Sequence, residues 1–417
     1  MGLPDVDALD RSDPLVAYRN EFVITDPEVC YLDGNSLGRL PKRTVDIVHR
    51  YLTEEWGSEL VAGWSHWIDE AQHVGDLIGR AALGASPGQV LAVDTTSVNF
   101  YQLCDAALRA RPRQSKVITD RANFPTDRYI LEGLCETHDK QLVFVDDEFG
   151  EEYVTPAMLA NHLDDDTALV TLSVVQYRSG ALHDVRELTR LAHAVGTLVV
   201  WDASHAVGAV DLRFDDDNVD LAVGCTYKYG NAGPGSPAWL YVNERLQADL
   251  RVPIQGWFAQ RDQFAMGHGF ERAEGMRGFQ IASPSIVGMR CIQASFSMIA
   301  EAGIPAIAAK SARGTELMLQ LHDAWLAQLG FEVVTPRDPR RRGGHVTLRH
   351  PDAKQIALAM REMVKVVPDY REPSSIRLAM SPLATSFREV WDGFERIRDL
   401  VASGRYRSAT GTASRVT

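Results

Sequence analysis

The chain is short of what a disulfide frame or a metal centre needs. Its five cysteines (Cys30, Cys104, Cys135, Cys225, Cys291) are odd in number, far apart and never in CxxC spacing, and its twelve histidines contain no HExxH. Neither a covalent framework nor a zinc site is signalled, and no metal is expected. No run approaches ~18 apolar residues, and the first twenty are acidic and polar rather than a basic start followed by an apolar block. The expectation is a cytoplasmic protein with no membrane partner. Positive charge is scarce as well: 43 basic against 56 acidic residues leave a formal net charge of −13. That balance disfavours nucleic acid or an anionic lipid surface and points to a small-molecule partner.

What the chain does have is length and alternation. At 417 residues, 45% hydrophobic and 24% charged, it can bury a large core and a second lobe. Helical periodicity runs through "RTVDIVHRYLTEEW" (43–56), "SVNFYQLCDAALRA" (97–110) and "DVRELTRLAHAVG" (184–196), each after a polar or turn residue. Short β-branched runs lie at 115–120, 141–146, 167–175, 197–204 and 219–227. Such alternation predicts an α/β fold, a mostly parallel central sheet with helices on both faces and ligand groups gathered where strands end. Beyond about residue 300 come "AIAAKSARGTELMLQLHDAWLAQLG", "GGHVTLRH", "AKQIALAMREM", "KVVPDY", "SIRLAM" and "SFREVWDGFERIRDLVAS", the pattern of a smaller α+β lobe. The expected divisions are an N-terminal segment (1–55) packing with the small lobe, a large cofactor-binding domain (56–300), a small domain (301–405) and a frayed polar tail (406–417).

One lysine asks for an explanation. In "GCTYKYGNAGPGSP" (224–237), Lys228 follows an apolar strand-like stretch and precedes a loop rich in Gly and Pro. In "WDASHAVG", Asp202 closes another apolar strand, 26 residues ahead of Lys228, with His205 three residues on. Across one intervening unit the two side chains can meet at one edge of the sheet. Pyridoxal phosphate requires that arrangement: an amine for its aldehyde and a carboxylate to keep its ring nitrogen protonated. An exposed loop lysine and a helix-capping acid would leave the same trace. A phosphate has a place too, because "VDTTSVNF" (93–100) sets Thr95, Thr96 and Ser97 just before a helix. Free backbone N–H groups and hydroxyls there bind anions, although Asp94, Thr95 and Ser97 serve equally as plain caps. No GxxxxGK[ST] or GxGxxG follows a strand in a nucleotide-binding context, so a nucleotide is the weaker candidate.

Taken in order, "YLDGNSLGRLP" (31–41), "NFPTDRYI" (123–130), "WDASHAVGAV" (201–210), "GCTYKYGNAGPGSPAWLYV" (224–242), "GWF" (256–258) and "IRLAMSPLATSFREVWDGF" (376–394) resemble the kynureninase family over about residues 20 to 400. The resemblance implies a fold type I (aspartate aminotransferase-like) pyridoxal phosphate enzyme. It would hydrolyse the Cβ–Cγ bond of L-kynurenine or 3-hydroxykynurenine, giving anthranilate or hydroxyanthranilate and L-alanine. It also implies residue roles. Lys228 would carry the cofactor and move the α-proton, and Asp202 would pair the pyridine nitrogen. Thr96, Ser97, Tyr227 and Trp257 would hold the phosphate, Trp257 across a dimer interface. Phe124 would stack on the ring, Asp127 would lie near the ring oxygen or phosphate, and Ser173 and His205 would complete the shell. Arg377 would grip the substrate α-carboxylate in a two-pronged contact. Tyr227 is the candidate proton-transfer group, with phosphate binding as its other role.

Three departures touch the substrate end. Ser283 in "FQIASPSI" stands where relatives show Thr or Asn, Ala384 where Tyr is common, and Phe270 where bacterial relatives often have Tyr. Lost phenols would suit a larger or ring-substituted kynurenine, or be neutral drift. Gly230, where Leu is usual, is expected to adjust backbone rather than chemistry. The apolar "PAWLYV" (237–242) and Trp257 suggest a homodimer. Two other readings stay open: another fold type I enzyme, such as a C–S lyase, cysteine desulfurase or aminotransferase, and a non-catalytic binding module. The absence of an obvious exposed nucleophilic cysteine counts against the desulfurase.

Overall fold

The computed structural model describes residues 3–145 and 153–411. Asp146, the last residue of the strand expected over 141–146, and residues 412–417 of the expected tail lie outside the described residues.

A seven-stranded sheet forms the centre: β1 (Val90–Ala92), β2 (Lys116–Asp120), β3 (Gln141–Val145), β4 (Thr167–Ser173), β5 (Leu198–Asp202), β6 (Leu221–Gly224) and β7 (Trp239–Val242). Its order is β1-β7-β6-β5-β4-β2-β3. Strands β2 to β6 pair in parallel, and β7 runs antiparallel to both β6 and β1. The five expected runs are β2 to β6. Every residue of β4 and β5 is buried, which is why both read as continuous β-branched runs rather than alternating ones. "PAWLYV" is not a surface feature: Trp239, Leu240, Tyr241 and Val242 are fully buried in β7, so that stretch gives no support to a dimer.

The helices begin at recognisable signals. In α1 (Thr96–Ala110) the Thr95 side chain accepts the Val98 N–H at 3.3 Å. Helix α2 (Pro125–His138) carries proline in its first turn, where a missing N–H costs nothing. Helix α3 (Val185–Ala194) is capped by Asp184. A long helix not evident in the sequence, α4 (Ile286–Ala302), meets α5 (Ile304–Leu321) at Gly303, whose φ of 79° turns the chain. Among the described residues no single helix is long and apolar enough to cross a membrane; the apolar pair that meets at Gly303 is bent by 85°.

The small lobe has four antiparallel strands, β8 (Glu332–Val333), β9 (His345–Arg349), β10 (Asp369–Arg371) and β11 (Ser375–Ala379), in the order β10-β11-β9-β8. Helices α6 (Ala353–Val364) and α7 (Phe387–Ala402) cover it. Its core, including Leu317, Phe331, Val346, Ile356 and Phe394, also takes in Val6 and Leu32. Cys30–Tyr31 pairs in parallel with Val366–Val367, and the Ala379 N–H donates to the Leu32 carbonyl at 2.8 Å. The N-terminal segment thus extends the small lobe's hydrogen bonding before crossing to the large one. Tyr406, placed by sequence at the start of the tail, is 3% exposed and donates to Asp352 Oδ2 at 2.6 Å.

Candidate active site

The C-terminal ends of the parallel strands gather the polar side chains. Ser173 and Asp202 are register neighbours at the ends of β4 and β5, both buried. Asp202 Oδ1 accepts the Ser204 N–H at 2.7 Å, which fixes the carboxylate at the strand end. The Ser173 hydroxyl donates to Asn123 Oδ1 at 2.7 Å. Its carbonyl accepts from His183 Nδ1 at 2.6 Å, while His183 Nε2 accepts the Val154 N–H at 2.8 Å. Those two bonds fix the tautomer, and burial pushes the ring down to about 4, so it is neutral.

The first turn of α2 brings Asp127 against Asp202. Burial, then the negative charge of Asp202, hold the Asp127 carboxyl well above the usual range. Asp127 therefore holds its proton to a higher pH than an isolated aspartate does. Asp127 was expected near the ring oxygen or phosphate; it lies instead at the carboxylate meant for the ring nitrogen, because one turn of helix beyond Phe124 reaches that far.

Lys228 sits four residues past the end of β6. Its Nζ lies 3.3 Å from His205 Nδ1 and 3.2 Å from His205 Nε2. Burial pushes the lysine amine down from its ordinary value. Burial, followed by the charges of Lys228 and Arg377, pushes His205 well below its own, leaving a neutral imidazole. The loop is braced by the DGNSLG motif: the Gly38 N–H donates to the Tyr227 carbonyl at 2.8 Å. A Cβ at Gly38 would stand 2.4 Å from the Lys228 carbonyl oxygen and 2.8 Å from Asn231 Cα, so only glycine allows that approach. Gly230 is similarly confined, since a Cβ there would meet the Thr226 carbonyl at 2.4 Å. The Cys225 thiol, then burial, keeps the half-buried Tyr227 phenol protonated by raising its pKa. Phe124 stands edge-on to Tyr177, with centroids 5.3 Å apart and planes at 90°.

Arg377, on β11, is 1% exposed. Its Nε and Nη2 both bond Asp369, Nη2 also donates to Ser36 Oγ at 3.2 Å, and Nη1 donates to the Tyr177 carbonyl at 2.5 Å. With its amide oriented to satisfy both partners, Asn35 accepts from Nε and Nη2 at 3.2 Å. The fork expected to clasp a substrate carboxylate is already filled by Asp369. What remains on the lysine side is Nη1, 3.4 Å from His205 Nε2.

Three expected residues stand elsewhere. Trp257 is 46% exposed and Phe270 37%; Trp257 packs edge-on to Phe258 and Phe264, at 4.8 and 6.3 Å. Ser283 is exposed on a separate cavity of ≈ 550 Å³ walled by Tyr51, Trp56, Trp64 and Trp67. Ala384 is fully buried in the large core. Thr96 and Ser97 open α1 with Ser97 exposed, leaving a helix N-terminus that Thr95 caps through Val98 alone. His345 was missed: both ring nitrogens are buried without a partner, and its centroid is 5.8 Å from that of His205. Asp33, Asn35, Ser36 and Asp369 were missed as the setting of Arg377, although "DGNS" had been noted as a motif.

Similar solved structures define the class first. The cysteine desulfurase CsdA from Escherichia coli superposes with a TM-score of 0.79 at 14% identity over 93% of this chain and 98% of that one. The cysteine desulfurase from Thermococcus onnurineus NA1 gives 0.78 at 18% over 97% and 99%. The fold is that of the fold type I pyridoxal phosphate enzymes. In sequence, the chain is 36% identical over 409 residues to a kynureninase from Burkholderia pseudomallei (strain K96243), covering 96% of both. It is 35% identical over 402 residues to one from Pseudomonas fluorescens, covering 94% of both. The profile of the kynureninase C-terminal domain matches residues 307–397. The chain belongs to the kynureninase family.

Proposed function

We propose that this enzyme uses pyridoxal phosphate to hydrolyse the Cβ–Cγ bond of L-kynurenine or 3-hydroxykynurenine, giving anthranilate or 3-hydroxyanthranilate and L-alanine. The observation that carries the reading is the half-buried Lys228, its amine 3.2 Å from neutral His205, on the sheet edge where Asp127 and Asp202 meet, in a chain of this family.

The residues fit the cofactor. Asp127 Oδ2 is buried without a hydrogen-bond partner, so the acid pair has an acceptor left for a protonated ring nitrogen. The N-terminus of α1, with Thr96 and Ser97, offers N–H groups and a hydroxyl to a phosphate. Phe124 offers a ring face, and Tyr227 a second hydroxyl. When bound, pyridoxal phosphate supplies an aldehyde for a primary amine and a ring that draws electrons from the carbon attached to that amine. Lys228, its amine pushed down from its ordinary value by burial, takes the proton from the substrate α-carbon and returns it. Asp202, with Asp127 beside it, would pair the ring nitrogen of the heterocycle. The Tyr227 phenol, held protonated, gives a proton to the Cβ left when water has added to the γ-carbonyl and the bond has broken. Arg377 orients the α-carboxylate through Nη1 rather than through its whole fork.

The substrate is a small amino acid, and the protein is read as cytoplasmic. Trp257, Phe264, Met266, Leu60 and Val61 are exposed, which supports a homodimer in which Trp257, Phe270 and Ser283 of one subunit complete its partner's site. A desulfurase would need an accessible thiol; Cys30, Cys104, Cys135 and Cys225 are buried and Cys291 is half-buried on a helix, its thiol raised by burial. Adding L-kynurenine and 3-hydroxykynurenine to the purified holoenzyme tests the proposal by the fluorescence of the anthranilate released. No turnover of either would overturn it, and a panel with ring-methylated kynurenines would rank the ring substituents.

A further inference from the structure

Between the end of β2 and the start of α2, one amide ties three elements together. Asn123 is 1% exposed. Its Oδ1 accepts the Ser173 hydroxyl at 2.7 Å and the Phe124 N–H at 2.8 Å, and its Nδ2 donates to Thr119 Oγ1 at 3.1 Å. Thr119 lies in β2 and Ser173 ends the neighbouring β4, both buried. The side chain therefore spans two strand ends and holds the peptide that leads into the helix, with both lone pairs of its carbonyl in use. Ser173 is itself fixed, since its carbonyl accepts from His183 Nδ1 at 2.6 Å. The Ser173 hydroxyl, expected in the cofactor shell, is turned to Asn123 instead.

What this network fixes is Phe124. A proline disfavours the helical region for the residue before it, and Phe124, ahead of Pro125, stands at φ −55° and ψ 133°. Its backbone is thus held by Pro125 on one side and by the Asn123 amide on the other. The half-buried ring keeps only its own side-chain torsions, and Tyr177 stands edge-on to it with centroids 5.3 Å apart. We propose that Asn123 is a positioning residue, aiming the Phe124 ring at the cofactor through its bond to the Phe124 N–H, with Ser173 acting through Asn123. The inference rests on the reading that Phe124 offers its ring face to pyridoxal phosphate.

A double-mutant cycle on the holoenzyme tests this, read by the visible circular dichroism of the bound cofactor and by turnover of L-kynurenine. The dichroism needs no substrate, so it stands apart from which substrate is turned over. Asn123→Ala should lower the ellipticity per bound cofactor by about half or more and kcat by about tenfold, with KM changed less than ~threefold. Phe124→Leu should act in the same direction, and adding Asn123→Ala to it should lower neither quantity further. Should Asn123→Ala not fold, Ser173→Ala takes its place in the cycle, with a loss in kcat of about two- to fivefold alone and none in the Phe124→Leu background. Losses that multiply in the double variant, or a cofactor signal unmoved by Asn123→Ala or by the Ser173→Ala that replaces it, would overturn the role of Asn123. A cofactor signal and kcat unmoved by Phe124→Leu would instead overturn the placement of the ring beneath it.

Discussion

Replacing Asp33 by Asn tests the electrostatics of the lobe seam without any ligand. Asp33 is pushed up to about 7, first by burial and then by Asp369, against partial relief from Ser36 and Arg377. In the unfolded chain an aspartate ionises near ~3.9. Between those values the folded protein holds a proton that the unfolded chain has released, so stability falls as pH rises from about 4 to about 7 and levels off above. Roughly three pH units at ~1.4 kcal/mol each bound the cost at about 4 kcal/mol. Asn carries no charge at any pH and pays none of it. Urea unfolding of the apoprotein, followed by circular dichroism at a series of pH values, should show the variant gaining on the parent as pH rises through this window, by about 1–4 kcal/mol above pH 7. A difference that does not change with pH would refute the reasoning. So would a parent that gains on the variant with rising pH, for then Arg377 holds Asp33 ionised.

Other outcomes follow from the same geometry. Gly38→Ala should displace the Lys228 loop, because its Cβ would lie 2.4 Å from the Lys228 carbonyl; cofactor absorbance and turnover should both drop, turnover by about tenfold or more, with far-UV circular dichroism unchanged. Tyr229→Phe removes a buried hydroxyl that has no partner, so stability should hold or rise by ~1 kcal/mol in urea unfolding. Lys310→Ala breaks a buried pair with Asp13, 2.7 Å long between side chains 4% and 2% exposed. It strands an anion and should cost about 3–5 kcal/mol in the same assay.

The sheet was legible wherever burial was symmetrical. Strands β4 and β5 bury both faces, so their residues are apolar without interruption, and Asp202 shows as the first acid after such a run. β1 and β7 were not recognised: Val90–Ala92 is too short for a pattern, and "WLYV" reads equally as an exposed apolar patch. Helix α4 escaped because "IVGMRCIQASFSMIAEA" is buried along much of its length and so lacks a polar face to set a period. In the site, Lys228, Asp202, His205 and Arg377 were legible because chemistry restricts which residue types can serve. The partners that set their state were not. Asp127 meets Asp202 across a helix turn and a strand end, and Asp369 meets Arg377 across neighbouring strands, and neither juxtaposition leaves a spacing in the chain. Trp257, Phe270 and Ser283 belong to surfaces whose role depends on what covers them.

The attachment of the cofactor can be located directly. Reducing the holoenzyme with borohydride and mapping its peptides by mass spectrometry should find the pyridoxyl group on the peptide containing Lys228, and no label once Lys228 is replaced by Ala. Label on another lysine, such as buried Lys310, or a Lys228→Ala protein that still carries it and releases anthranilate from L-kynurenine, would contradict the account.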